Sequence, residues 1–221
     1  MESALSSIYL SLIVASCATV IIAILGLAIA YGLARYEFRG KGLADALITI
    51  PMILPPTVVG YYLILVFGNH GIIGEPLHEM TGFSFVFTWY GAVLASVIVA
   101  LPLMIKTSRA AIESVDKELI SVSYGLGKSE WETFMKVILP IAKGGIMAGV
   151  VLSFARAMGE FGATLMLAGN IPGKTSTMPL AIYSAFQGGD DNTAQLLVII
   201  LTCMSVLVIY IANKLSRNRW L

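Results

Sequence analysis

Apolar residues run along this chain in blocks of membrane length, separated by short polar islands. Five blocks stand out, at about 8–34, 46–67, 85–105, 144–168 and 193–213. A bilayer core takes about 20 apolar residues per helix. Each block therefore predicts a transmembrane helix. The predicted fold is all-α, a polytopic bundle of five spans in one transmembrane domain over 1–221. The first block is long enough to require tilt or an extra turn at the surface. Pro51, Pro55 and Pro56 interrupt the second. Adjacent prolines remove backbone donors, and in lipid the freed carbonyls must be met by protein or by water in a cavity. Two readings stay open there. One is a bent helix lining a pathway, with Pro55, Pro56, Thr57 and Gly60 giving bend, polarity and close approach. The other is a kink satisfied by neighbouring helices. The fourth block opens with Gly144-Gly145 and holds Arg156, Gly159 and Glu160. Ionisable residues at membrane depth are costly and functional by default. Arg156 and Glu160 are four apart, so on a continuous helix they share a face and can pair. That pair is either part of a pathway or a structural ion pair.

The longest polar island lies at about 113–140. From Glu118 it reads ELISVSYGLGKSEWETFMKVILP. Trp131, Phe134, Met135 and Ile138 recur at three- and four-residue steps, one face of a short helix. Ser121, Ser123, Gly125 and Gly127 precede it and permit a sharp turn, and Pro140 stands where a new helix can begin. An amphipathic helix held at the surface by a span on each side enters a groove on a soluble partner or lies on lipid head groups. The island at 69–84 carries His70, Glu75, His78 and Glu79. Two histidines eight apart do not match a zinc spacing, so this island reads as a solvated loop facing a partner. Residues 169–192 are marked by Gly and Pro, with a short helix expected around Met178–Phe186.

Basic residues set the predicted orientation. With the N-terminus outside and the C-terminus cytoplasmic, Arg35, Arg39, Lys41, Lys106, Arg109, Lys117, Lys128, Lys136, Lys143, Lys214, Arg217 and Arg219 all fall in the cytosol. Only Lys174 falls outside. Lys and Arg are retained on the cytoplasmic side. Only Glu2 precedes the first block and the basic residues follow it, so the block reads as a retained span, not a cleaved leader.

Composition narrows the function classes. The chain is 57% hydrophobic and 12% charged, far from a soluble average. Its net charge of +1 comes without a basic cluster for a phosphate backbone, so nucleic acid is not a partner. Cys17 and Cys203 lie in apolar blocks and read as small buried side chains, not a disulfide or a metal pair. There is no Gly-x4-Gly-Lys-Ser/Thr loop for ATP and no His-Glu-x-x-His. Both histidines lie in one polar island, so no nucleophile–His pair is available within the membrane. A proton-coupled secondary transporter needs inverted repeats and a relay of buried carboxylates. Five spans with one candidate carboxylate do not supply them. A lipid-modifying enzyme needs a polar cluster at one interface, and none is visible.

Gly127 followed after nine residues by Val137-Ile138-Leu139-Pro140 resembles the second half of the "EAA" signature of ABC importer permeases. The Glu-Ala-Ala positions themselves read Ser121-Val122-Ser123. Phe38-Arg39-Gly40-Lys41, Leu54-Pro55-Pro56-Thr57-Val58-Val59-Gly60-Tyr61, Gly71-Ile72-Ile73-Gly74, Ser114-Val115-Asp116 and Gly159-Glu160-Phe161-Gly162-Ala163 look, in order, like the molybdate/tungstate permease branch. The resemblance covers nearly the whole chain. It implies a type I importer permease fold in the plasma (inner) membrane and a homodimer with its pathway at the subunit interface. It implies two cytoplasmic ABC ATPase subunits, which carry the ATP and Mg, so this chain would bind no cofactor. It also implies an external oxyanion-binding protein. The cargo would be molybdate or tungstate, with sulfate the nearest alternative. Ser121, Val122, Ser123, Gly127, Trp131, Phe134, Leu139 and Pro140 would dock the ATPase. Pro55, Pro56, Thr57, Gly60, Arg156, Gly159 and Glu160 would border the pathway. No catalytic or metal-binding residue is expected.

Overall fold

The computed structural model describes residues 2–217, so Arg219, one of the orienting basic residues, lies outside the described part. The described residues form helices and connecting turns, with no strand among them. In order these are α1 (Glu2–Arg35), α2 (Lys41–Ile53), α3 (Pro56–Phe67), α4 (Gly74–Thr81), α5 (Trp89–Glu113), α6 (Lys117–Gly125), α7 (Glu130–Thr133), α8 (Leu139–Met158), α9 (Gly162–Ala168), α10 (Met178–Gln187) and α11 (Asp191–Arg217). A π-helical turn, Phe134–Ile138, joins α7 to α8.

Four stretches among the described residues are long and apolar enough to cross a membrane: Ala4–Arg35, Trp89–Glu113, Glu130–Met158 and Asp191–Ile211. A fifth crossing requires α2 and α3 together, and these are bent by 115° at their junction. The second block is therefore two half-helices, a much sharper break than a bent span. The fourth block also divides. Its long helix starts at Leu139, ends at Met158, and leaves α9 as a separate piece. The third block starts at Trp89, where the Thr88 hydroxyl caps the helix by accepting the Gly91 N–H at 3.3 Å. It runs on past Lys106 and Arg109 to Glu113, because those charges find partners. Lys106 Nζ lies 2.8 Å and Arg109 Nη1 3.1 Å from the Asp45 carboxylate of α2. Arg109 Nε also lies 2.7 Å from Glu113. α2 buries no residue fully; these ion pairs and the packing of Ile48 tie it to the bundle.

The core is built where α1, α5 and α8 meet, around Ala15, Ala18 and Ile22 of α1, Ala100, Met104 and Ile105 of α5, and Ile146 and Ala157 of α8. Small residues let helices approach closely in lipid, where water no longer drives them together. A Cβ on Gly145 would fall 2.5 Å from that of Ala111. A second cluster packs α3 on α5 and α9 through Val59, Leu63, Ala95, Val99, Ala163 and Leu167. The outer faces of α2, α3 and α11 stay exposed and apolar. Cys203 sits on that exposed face of α11, not in a core as expected. Cys17 is half-buried, and both thiols are free. The 69–84 island is more ordered than a solvated loop, since α4 occupies half of it and ends on the left-handed Gly82. No cluster of metal-binding side chains occurs among the described residues. The expected helix after residue 177 is α10.

Candidate functional site

The two breaks lie against each other. Pro55 and Pro56 end the hydrogen-bond ladder of α2, and Pro56 opens α3 at a position where a missing N–H costs nothing. The Pro55 carbonyl is the first acceptor of α3, taking the Val58 and Val59 N–H at 2.9 and 3.2 Å. A Cβ on Gly162, at the start of α9, would sit 2.8 Å from Pro56 Cβ and 3.2 Å from Thr57 N. A Cβ on Gly60 would sit 3.0 Å from Ala163 Cα. The fold thus brings Pro56, Thr57 and Gly60 onto Gly162 and Ala163, two sets of residues about a hundred positions apart in sequence. Pro55, Pro56, Thr57 and Gly159 are exposed. Gly159 also borders an apolar cavity of about 420 Å³ with Phe161, Tyr183, Phe186 and Leu201.

Arg156 and Glu160 do pair, Nη1 to Oε2 at 2.8 Å. They do not share one continuous helix face, however. α8 stops at Met158, and Glu160 reaches back to Arg156 from inside the break. The other carboxylate oxygen, Oε1, accepts the Ala163 N–H at 2.8 Å and so caps α9. The Glu160 side chain is 1% exposed, against 34% for Arg156. A carboxylate buried to that degree needs both partners. Because Arg156 itself is one-third exposed, the pair is only partly desolvated, and losing the arginine costs less than breaking a fully buried pair.

The docking segment is built by local capping. Asp116 caps α6 by accepting the Glu118 N–H at 2.8 Å. α6 ends in a Schellman motif, with Lys128 N–H bonded to Ser123 C=O at 3.2 Å and Gly127 N–H to Tyr124 C=O at 2.9 Å. Gly127 is left-handed, with φ +77°, the conformation the glycine-rich turn predicts. Ser129 and Glu132 then form a capping box that starts α7. The buried hydroxyls of Ser123 and Thr133, 2.9 Å apart, tie the two short helices together.

The expected single face of Trp131, Phe134, Met135 and Ile138 is split. Phe134 and Ile138 are buried in the core, whereas Trp131 and Met135 are exposed. Trp131 with Met135 and Phe134 with Ile138 form two adjacent strips of the helix, and only the second faces the core; at Phe134–Ile138 the helix passes through a π turn in which Leu139 N–H bonds to Phe134 C=O, five residues back. Of the predicted docking residues, Ser121, Val122, Gly127, Trp131 and Pro140 are exposed, Leu139 is half-buried, and Ser123 and Phe134 point inward. Leu119 and Leu126 are exposed beside Val122 and were missed. Their three- and four-residue spacing before Gly127 was the available signal.

Residues far away in sequence hold this segment. Tyr31 and Tyr36 hydroxyls both donate to Glu130 Oε1, at 3.0 and 2.6 Å. Arg35 Nη2 donates to the Tyr124 hydroxyl at 3.0 Å. The Tyr31 ring meets Phe134 edge-on at 4.7 Å. Donation to the Glu130 carboxylate holds the Tyr36 hydroxyl above its ordinary pKa.

Comparison with known proteins places this geometry in context. The model of the family "Binding-protein-dependent transport system inner membrane component" matches residues 6–218. The molybdenum transport system permease protein ModB of Escherichia coli (strain K12) is 41% identical over 217 residues, covering 96% of this chain and 95% of ModB. The probable sulfate transport system permease protein cysT of Chlorella vulgaris is 35% identical over 218 residues, covering 98% of this chain and 82% of that one. Among solved structures, a bacterial alginate ABC transporter, in complex with alginate pentasaccharide-bound periplasmic protein, superposes with a TM-score of 0.79. The superposition has 16% identity and covers 99% of this chain and 80% of the other. At that identity it speaks for the fold alone.

Gly127 yields a direct test of the turn. A Cβ there meets nothing within 4 Å, so only backbone strain opposes substitution. Left-handed backbone costs an L-residue roughly 1–2 kcal/mol, and Asn tolerates it best. Gly127→Val should open the 126–129 turn, read as faster amide exchange or protease nicking there, with membrane insertion unchanged. Gly127→Asn should stay near wild type. Equal protection in the Val and Asn variants would refute the strain account.

Proposed function

The chain belongs to the binding-protein-dependent transport system inner membrane component family, and on that premise we propose that it is the membrane-spanning permease subunit of an ATP-driven importer of molybdate. The observation that carries the cargo is the 41% identity to the molybdenum permease over 96% of this chain. The sulfate relative is more distant, at 35%. Molybdate, tungstate and sulfate are all tetrahedral dianions, so the last two are the competing cargoes.

The permease works as one of two identical subunits. Each leaves Pro55, Pro56, Thr57 and Gly159 uncovered at its break, and a second copy supplies the facing wall of the pathway. The N-terminus lies outside and the docking segment in the cytosol. There Val122, Leu126, Trp131 and Met135 enter a groove on a separate ATPase subunit, which carries the ATP and Mg. An external binding protein delivers the oxyanion at the opposite rim. ATP draws the two ATPases together, the docking segments follow, and the pathway opens outward; hydrolysis returns it inward. The link is the different affinity of each partner for the two states. Arg156 contributes positive potential at the break, where water is scarce and charge counts for more. Glu160 tempers it so that a dianion is not held too tightly to leave.

Three outcomes are expected. In liposomes holding the permease, its ATPase and the binding protein, molybdate uptake should require ATP and resist competition by excess sulfate. Preferential sulfate uptake would overturn the cargo. A reporter active only outside should work when fused after Glu75 or Leu180 and be silent after Lys128; activity after Lys128 would reverse the topology. Arg156→Gln should cut uptake while the complex still assembles. Lost assembly that is restored by adding Glu160→Gln would instead make the pair purely structural.

A further inference from the structure

α1 touches both ends of the machine. Near its Arg35 end, three of its own or adjoining side chains grip the docking segment from two sides. Arg35 bonds Tyr124 of α6, while Tyr31 and Tyr36 both bond Glu130 of α7. Near its Glu2 end, the buried Ser11 hydroxyl accepts the Met178 N–H at 2.7 Å, at the first residue of α10. α10 closes the segment expected outside. From Ser11 to Tyr31 the helix spans roughly 30 Å at 1.5 Å per residue. Between these two attachments α1 contains no proline, and its inner face is packed throughout by Val14, Ala15, Ala18, Ile22, Ala30 and Leu33.

The docking segment has little freedom relative to this grip. The Ser123–Thr133 bond, the Schellman turn and the Tyr31–Phe134 contact bind α6, α7 and α1 into one body. A displacement of Trp131 and Leu126 by the ATPase is therefore a displacement of the Arg35 end of α1.

We propose that α1 is a strut that carries the movement of the docking segment to α10, and that Tyr31, Tyr36 and Glu130 are the positioning residues that join the two. This rests on the docking reading above. The strut works only while Glu130 accepts both hydroxyls. The required property is hydrogen-bond acceptance, not charge, so a carboxamide oxygen serves as well as a carboxylate. Coupling between distant sites is established by a shared two-state element, not by proximity, and the experiment must read coupling itself.

The test uses the full complex of permease, ATPase and molybdate-loaded binding protein in liposomes. ATPase co-purification, ATP hydrolysis without binding protein, and its stimulation by binding protein are all measured. Tyr31→Phe with Tyr36→Phe keeps both rings and removes both donors. Co-purification and unstimulated hydrolysis should be unchanged, while stimulation falls about five-fold or more, the low end of a typical allosteric coupling. Glu130→Gln should keep stimulation and Glu130→Ala should lose it. Ser11→Ala, at the far end, should lower stimulation as the Phe pair does. Full stimulation in the Phe pair or in Ser11→Ala overturns the strut, as does equal loss in Glu130→Gln and Glu130→Ala. Loss of ATPase binding in the Phe pair also overturns it, because the clamp would then only shape the docking surface. Failure of the docking reading is seen separately, as an ATPase that stays bound to the Trp131→Glu permease.

Discussion

A backbone carbonyl or amide freed at membrane depth has no water to turn to, and the whole arrangement follows from how this chain meets that constraint. Two of its spans are broken, and each freed group must find a partner within the protein. The two new helix starts lie in one place. The Pro55 carbonyl opens the hydrogen-bond ladder of α3, and the first turn of α9 is capped by the Glu160 carboxylate. The starts of α3 and α9 then press together, with Gly60 and Gly162 leaving no room for a side chain between them. Irregular backbone in lipid is tolerated where protein or a water-filled cavity covers it, which is why the proposed pathway is drawn along the breaks.

Four of the five expected crossings were legible as apolar runs because a bilayer imposes a fixed length on them, and the fifth is the bent pair α2 and α3. The breaks were legible only in part. Adjacent prolines announce the first, and its severity, a bend of 115°, depends on α9 waiting to receive α3. The second carries no proline. Gly159 and Gly162 hint at it, but the helix stops at Met158 because Glu160 is drawn to Arg156 and Ala163 at once, a tertiary choice that periodicity does not encode. The pairing of Arg156 with Glu160 was foreseen, though by the wrong route.

The docking segment shows the same division. Capping residues and the left-handed glycine are local and readable. Which strip of its apolar residues faces the core is not, since Phe134 and Ile138 turn inward on the rest of the fold and leave Trp131 and Met135 in the open. Arg35, Tyr31 and Tyr36 escaped notice for a different reason. Each looks like an ordinary end-of-span residue, and its partner is about ninety positions or more away. Leu119 and Leu126, by contrast, were within reach of a pattern already in view.

The way Glu160 divides its two oxygens has a consequence for donor geometry. A guanidinium offers a planar fork of five N–H donors, and a free carboxylate commonly meets it with two parallel bonds. Here Oε1 accepts the Ala163 amide N–H, and Oε2 is the oxygen that lies 2.8 Å from Arg156 Nη1. Glu160 thereby neutralises part of the charge of a guanidinium that is one-third exposed. On the proposed pathway, a tetrahedral oxyanion arriving at the break would meet an arginine that already carries a carboxylate counter-ion.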